Sequence, residues 1–179
     1  MEIIFVRHGE TQHNKSHQLM GQRIDDPLDE TGLHQASELF EKLPKKVDVI
    51  FSSPLKRALQ TAQIISRHLN VPVKVSELLR ERDFGTLSGK TWDEINLEEG
   101  KDLHSLDEHL QYDYRPYGGE SVDQVKSRLM QFLADIKKNH AKEKIIVVTH
   151  FGMIMLMDSL YPDKNSHALG NVSVHKFKI

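Results

Sequence analysis

The stretch IIFVRHG, residues 3–9, decides how the chain is read. Four apolar residues in a row predict a strand over residues 2–7 that is buried on both faces, as inside a parallel sheet. Arg7, His8 and Gly9 follow with no polar turn between. A guanidinium and an imidazole at the mouth of a buried strand are costly to desolvate unless something there uses them. The pattern then repeats. KIIVVTH, residues 144–150, is a second buried strand and ends in His150. VDVIFSS, residues 47–53, is a third and leads into a helix that carries Arg57.

Between these strands the spacing turns helical. Leu33, Ala36, Phe40 and Leu43 recur after Asp29 and Thr31, either of which suits an N-cap. Ser53-Pro54 reads as a helix start, with Leu55, Ala58, Ala62, Ile65 and Leu69 on one face and Asn70 as the stop. Residues 72–76 form a short strand. Thr91 with Glu94, and Ser121 with Gln124, make capping boxes. The second opens a helix with the stripe Val125, Leu129, Phe132, Leu133 and Ile136. Residues 151–160 are a short apolar helix whose methionines read as core, and residues 171–177 a last strand.

Strands alternating with helices predict an α/β fold in three αβα layers, with helices on both faces of a mostly parallel central sheet. We read residues 1–179 as a single domain. Residues 84–120 stand apart as polar, irregular and rich in His, Tyr and Gly, and read as a lid-like excursion over one end of the sheet. His104, His109, Tyr112, Tyr114, Arg115 and Tyr117 are its candidates for lining a site.

Lys plus Arg number 24 and Asp plus Glu 26, so the net charge of −2 gives no general pull toward nucleic acid or membrane. An anion site has to be built locally. The absence of cysteine excludes disulfides, thiolate nucleophiles and zinc–thiolate sites. No apolar run approaches the ~18 residues of a membrane span. Arg7 ends the first apolar run early, so no signal peptide is expected and the cytoplasm is the expected compartment. His13 and His17 lie four apart but have no obvious third ligand, so no metal is expected. His34, His68 and His140 read as surface residues.

If the three strands run parallel, Arg7, His8, His150 and the start of the Arg57 helix gather beyond their carboxyl ends, where α/β sheets bind ligands. Two arginines suit the oxygens of a phosphate, and helix starts add backbone N–H donors. Thr11 and Asn14 offer side-chain donors from the loop after Gly9. Phosphoryl transfer also needs a nucleophile, and a neutral imidazole is suited to it because adjacent cations depress its pKa. A general acid must protonate the departing oxygen. Glu81 is the best placed carboxylate by topology, but Glu77, Asp83 and Asp93 are near and spacing does not separate them. Arg57 also has two readings. It lies about 140° from the centre of its helix's apolar stripe, which suits a solvated residue, while its first-turn position suits a site.

VRHGETQHN, SSPLKRALQTA, LRERDFG, GGES and VVTHFG occur in that order. Together they resemble the histidine phosphatase superfamily, the phosphoglycerate mutase-like proteins, over residues 3 to about 152. The resemblance implies that His8 becomes a transient phosphohistidine, that Arg7, Asn14, Arg57 and His150 hold the phosphoryl group, and that Glu81 donates and accepts the proton. It implies no metal or other cofactor, and one antiparallel strand near a sheet edge. The expected activity is hydrolysis of a small phosphorylated metabolite. A phosphoglycerate mutase is the alternative. ERDFG differs from the ERHYG of those enzymes at Asp83 and Phe84, and their longer insert with paired arginines is missing. Tyr112, Tyr114 and Arg115 would have to substitute for it. A non-catalytic module that binds phospho-ligands is a lesser alternative, needing the cations but not Glu81.

Overall fold

β1 (Glu2–Arg7) and β4 (Ile145–Thr149) pair in parallel, with Ile3 opposite Ile145 and Arg7 opposite Thr149. β2 (Val49–Ser52) pairs in parallel with the other side of β4 and with β3 (Val73–Val75), and β5 (Val174–Lys178) runs antiparallel along β1. This computed structural model describes residues 1–162 and 169–179, and among them the sheet order is β3-β2-β4-β1-β5. The antiparallel strand is thus at an edge, as the resemblance implied.

The helices are α1 (Gln12–Lys15), α2 (Glu30–Glu38), α3 (Lys56–Leu69), α4 (Trp92–Glu99), α5 (Leu103–Glu108), α6 (Val122–Asn139) and α7 (Phe151–Leu160). Strand side chains alternate between two layers because successive Cβ atoms point to opposite faces. Ile3, Phe5, Val49, Phe51 and Val147 pack toward Leu129 and Phe132 of α6 and Met153 and Met157 of α7. Ile4, Val6, Ile50, Ile146 and Val148 pack toward Ala58, Ala62 and Ile65 of α3. Both faces of the central strands are covered, which is why their sequences are uniformly apolar. No helix among the described residues is long and apolar enough to cross a membrane.

Several local expectations hold and several shift. Asp29, not Thr31, caps α2, accepting from Gly32 N at 2.7 Å. Asn70 ends α3 in the left-handed conformation, and both capping boxes form. The helix expected from Ser53-Pro54 instead starts at Lys56, with Leu55 at the N-cap and no side-chain cap. The Ser53 hydroxyl is engaged with His150 and Leu55 N, so it does not cap a helix. His140, expected at the surface, has its side chain only 12% exposed and meets Phe51 edge to face. The segment 84–120 is packed: Phe84, Leu87, Ile95, Leu103, Tyr112 and Tyr114 are buried and join the core on the α6 face.

The parallel ladder fixes what stands at its end. Beyond the last strand residues, His8 N donates to the Thr149 carbonyl at 3.1 Å and Ser53 N to the Val148 carbonyl at 3.0 Å. His8, Ser53 and His150 therefore emerge side by side.

Candidate active site

The imidazoles of His8 and His150 lie 5.2 Å apart, centroid to centroid, and both are buried. His8 Nδ1 is 2.7 Å from the Gly9 carbonyl, which only accepts, so Nδ1 carries the proton and Nε2 keeps its lone pair. Arg57 Nε stands 3.3 Å from that Nε2. Burial first, then the charges of Arg57 and Arg7, push the His8 pKa well below its ordinary 6.5, so the ring is neutral at pH 7. His150 is pushed down in the same way, by burial first and then by Arg57. Its Nε2 is 2.8 Å from Ser53 Oγ. Ser53 Oγ also accepts from Leu55 N at 3.3 Å, and a Ser53 proton donated to His150 Nε2 would place the ring proton of His150 on Nδ1.

Arg57, on the first turn of α3, is only 1% exposed. The loop after α1 folds over it, and its Nη2 and Nη1 donate to the carbonyls of Gly21 (2.8 Å) and Ile24 (3.1 Å). Burial lowers its pKa to about 10, which leaves it charged at neutral pH. Arg7 donates from Nη1 to the Leu169 carbonyl and lies 5.2 Å from the Phe151 ring centre. Arg7 Nε and His150 Nδ1 are buried with no hydrogen-bond partner among the described residues.

Asn14 lines the same cavity, and its Oδ1 accepts from Thr11 N and from Asn171 Nδ2, both at 3.2 Å. Its amide nitrogen takes part in neither bond. Thr11 is placed differently from the expectation. It is fully buried, caps α1 and, like the equally buried His150, is not among the residues lining the cavity. Its part is to hold Asn14.

Glu81 reaches the cavity from the irregular chain after β3. Its Oε1 accepts from Arg82 N at 2.9 Å and its Oε2 from Gly152 N, in the first turn of α7, at 3.1 Å. A Cβ on Gly152 would lie 2.3 Å from Arg82 Nη1 and 2.6 Å from Glu81 Oε1, so glycine is what lets α7 come this close. Asp83 is turned outward and pairs with Arg23 at 2.8 Å, which separates it from Glu81.

The cavity measures about 180 Å³. Arg7, His8, Asn14 and Arg57 line it together with Gln18, Trp92, His104 and Glu108. A neutral imidazole, the guanidiniums of Arg7, Arg57 and Arg82, and the carboxyl groups of Glu81, Asp107 and Glu108 thus face one small space.

A family model described as the histidine phosphatase superfamily (branch 1) matches residues 3–178. The chain belongs to this superfamily. As a histidine phosphatase it is 40% identical over 158 residues to a metal-independent phosphoserine phosphatase of Arabidopsis thaliana, covering 86% of this chain and 65% of that protein. It is 34% identical to phosphoglycerate mutase-like protein 4 of the same plant, covering 99% of this chain and 79% of that one. Among solved structures, a phosphoserine phosphatase of Entamoeba histolytica in complex with 3-phosphoglyceric acid superposes with a TM-score of 0.80 at 30% identity, covering 99% of this chain and 90% of that one.

Within this histidine phosphatase the excursion contributes differently from the expectation. Of its six candidates only His104 lines the cavity. Arg115 pairs with Asp113 at 2.7 Å on the surface, and Tyr114 is fully buried. The cavity residues missed in the sequence include Arg82, Asp107 and Phe151. Arg82 immediately follows Glu81, and Phe151 immediately follows His150, so adjacency was the one signal available. Asp107 had none. His13 pairs with Asp26, and no group of three or more His, Asp or Glu among the described residues could hold a metal.

Proposed function

We propose that the protein hydrolyses a small phosphomonoester through a phosphohistidine on His8. The observation that carries this reading is the His8 ring itself, neutral, with its proton held on Nδ1 by the Gly9 carbonyl and its lone pair on Nε2 facing Arg57. A bound phosphoryl dianion would take the donors of Arg57, Arg7, Asn14 and His150. Arg7 Nε and His150 Nδ1 would find there the partners that they lack among the described residues. This is positioning and charge neutralisation, the main needs of phosphoryl transfer.

In the first half-reaction His8 Nε2 bonds to phosphorus while the bond from phosphorus to the ester oxygen breaks. That oxygen takes the proton of Glu81 and leaves as the alcohol. In the second, water attacks phosphorus and yields its proton to the Glu81 carboxylate. The N–P bond breaks, and phosphate and a neutral His8 are regenerated. The products are one alcohol and one phosphate for each ester and water consumed.

The relatives named as phosphatases support hydrolysis, and a cavity of about 180 Å³ suits a small metabolite. The excursion favours hydrolysis over the mutase. Tyr112 and Tyr114 are in the core, and Arg115 is spent on Asp113, so none stands ready for a substrate carboxylate. Replacing His8 by Ala tests the mechanism. Turnover of para-nitrophenyl phosphate should fall by at least about 10,000-fold with the fold intact by circular dichroism, the scale seen when a covalent nucleophile is removed. Substantial activity in that variant would exclude the phosphohistidine.

A further inference from the structure

The segment GGES, residues 118–121, takes no part in the chemistry above, yet its glutamate sits in a polar network that also holds the backbone around Glu81. Arg128 of α6 sends Nε to Glu120 Oε1 (3.0 Å) and Nη2 to Glu120 Oε2 (3.1 Å). The same Nη2 donates to the Glu81 carbonyl (3.0 Å), and Nη1 donates to the carbonyls of Leu78 (2.9 Å) and Arg80 (2.6 Å). Glu120 Oε2 also accepts from Asp83 N (2.9 Å) and from Gln22 Nε2 (3.0 Å). Glu120 N donates to the Asp83 carbonyl at 2.9 Å. A Cβ on Gly119 would lie 2.3 Å from the Asp83 carbonyl oxygen, so this approach needs glycine.

One guanidinium and one carboxylate therefore hold the backbone on both sides of Glu81. That stretch has no strand or helix of its own between the single turns Glu77–Leu79 and Gly85–Leu87. Gln22 joins the clamp to the loop whose Gly21 and Ile24 carbonyls hold Arg57. Neither Arg128 nor Glu120 lines the cavity.

We propose that Arg128 and Glu120 are positioning residues for proton transfer, fixing the frame from which the Glu81 carboxyl meets the leaving oxygen. The proposal rests on the reading of Glu81 as proton donor. One of the two donors that orient the Glu81 carboxyl, Arg82 N, belongs to the clamped stretch itself. A displacement of about 1 Å costs a reacting group on the order of 100-fold. Lysine cannot replace this arginine, because a single ammonium cannot span three carbonyls and a carboxylate as a planar fork does.

The two functions of the site separate by leaving group. Nitrophenolate departs with little help from a proton, whereas a simple alkoxide needs one. Damage to phosphate capture slows both esters alike. The experiment compares kcat/KM for para-nitrophenyl phosphate and glycerol 2-phosphate in the wild type, Glu81→Gln, Arg128→Lys and Glu120→Gln. Inhibition by inorganic phosphate and urea unfolding are measured in parallel.

Glu81→Gln should lose at least about 100-fold more on the alkyl than on the aryl ester. Arg128→Lys should show the same split at about tenfold or more, with phosphate inhibition changed less than about threefold. Glu120→Gln is isosteric and carries the same expectation should Arg128→Lys fold poorly. Equal losses on both esters, or weakened phosphate inhibition as the main effect, would overturn the clamp. If Glu81→Gln shows no split, the role of Glu81 falls and the clamp falls with it. A split in Glu81→Gln alone sinks only the clamp.

Discussion

Arg57 and Arg82 are buried guanidiniums that line the same cavity, and they are held in opposite ways. Arg57, at the strand ends, gives two of its five N–H donors to neutral carbonyls and another to His8, with no carboxylate among the described residues in ion-pair contact. Arg82 faces the excursion. Its Nη2 meets Asp107, which also accepts from the Tyr114 hydroxyl, and the rings of Phe84, Tyr112 and Phe151 stand 5.1 to 5.8 Å from its carbon. Burial lowers the Arg82 pKa, but the facing carboxylates of Asp107 and Glu81 outweigh it and hold the group charged. Burial wins at Arg57. The lesson is one of charge placement. At the strand ends burial outweighs the charges of Glu81, Asp25 and Asp26 and Arg57 has no ion-pair partner among the described residues, whereas in the excursion Arg82 is paired directly with Asp107.

The sharpest test of that contrast is Arg57→Met. Loss of a fixed donor and cation to the transferring phosphoryl group should lower kcat/KM by about 1,000-fold. Urea unfolding should show a loss of about 1–3 kcal/mol, because methionine leaves the Gly21 and Ile24 carbonyls without their donor. Asp107→Asn should act mainly on stability. It keeps the shape and breaks the buried ion pair of Arg82, so unfolding in urea should show a loss of about 3 kcal/mol. The reverse outcome, an unfolded Arg57→Met beside an unaffected Asp107→Asn, would break the contrast.

The same contrast marks what was legible in the sequence. β1 and β4 were visible because strands covered on both faces must be apolar throughout, and the histidines after them followed from the ladder. Arg57 was ambiguous because a helical wheel sees one helix only, and the cover over Arg57 comes from the loop around Gly21 and Ile24. Thr11 carried the right donor, but the N-cap of α1 claims it. The excursion was misread as polar because its helices are short. Six to eight residues give too few turns for a stripe to show, and Ile95 and Leu103 are buried by tertiary contact alone. The Arg82–Asp107 pair joins positions 25 apart, across chain that has no repeating pattern.

A smaller effect should separate the two regions by pH. In the folded protein burial and the nearby arginines depress the pKa values of His8 and His150, while the unfolded chain takes up a proton on each near 6.5. The unfolded state therefore binds more protons as pH falls below 6.5, and folding loses stability in that direction; above about pH 8 the contribution is complete. Each ring adds up to about 1.4 kcal/mol per pH unit to the slope. Urea unfolding at about pH 5.5 and 6.5 should thus show the wild type weakening, and His8→Gln and His150→Gln each weakening less by about one proton's worth. Above about pH 8 the variants should show no such difference in slope. If both kept the wild-type slope, the two rings would be taking up protons inside the fold, and His8 could not be the neutral nucleophile that the rest of the site is arranged around.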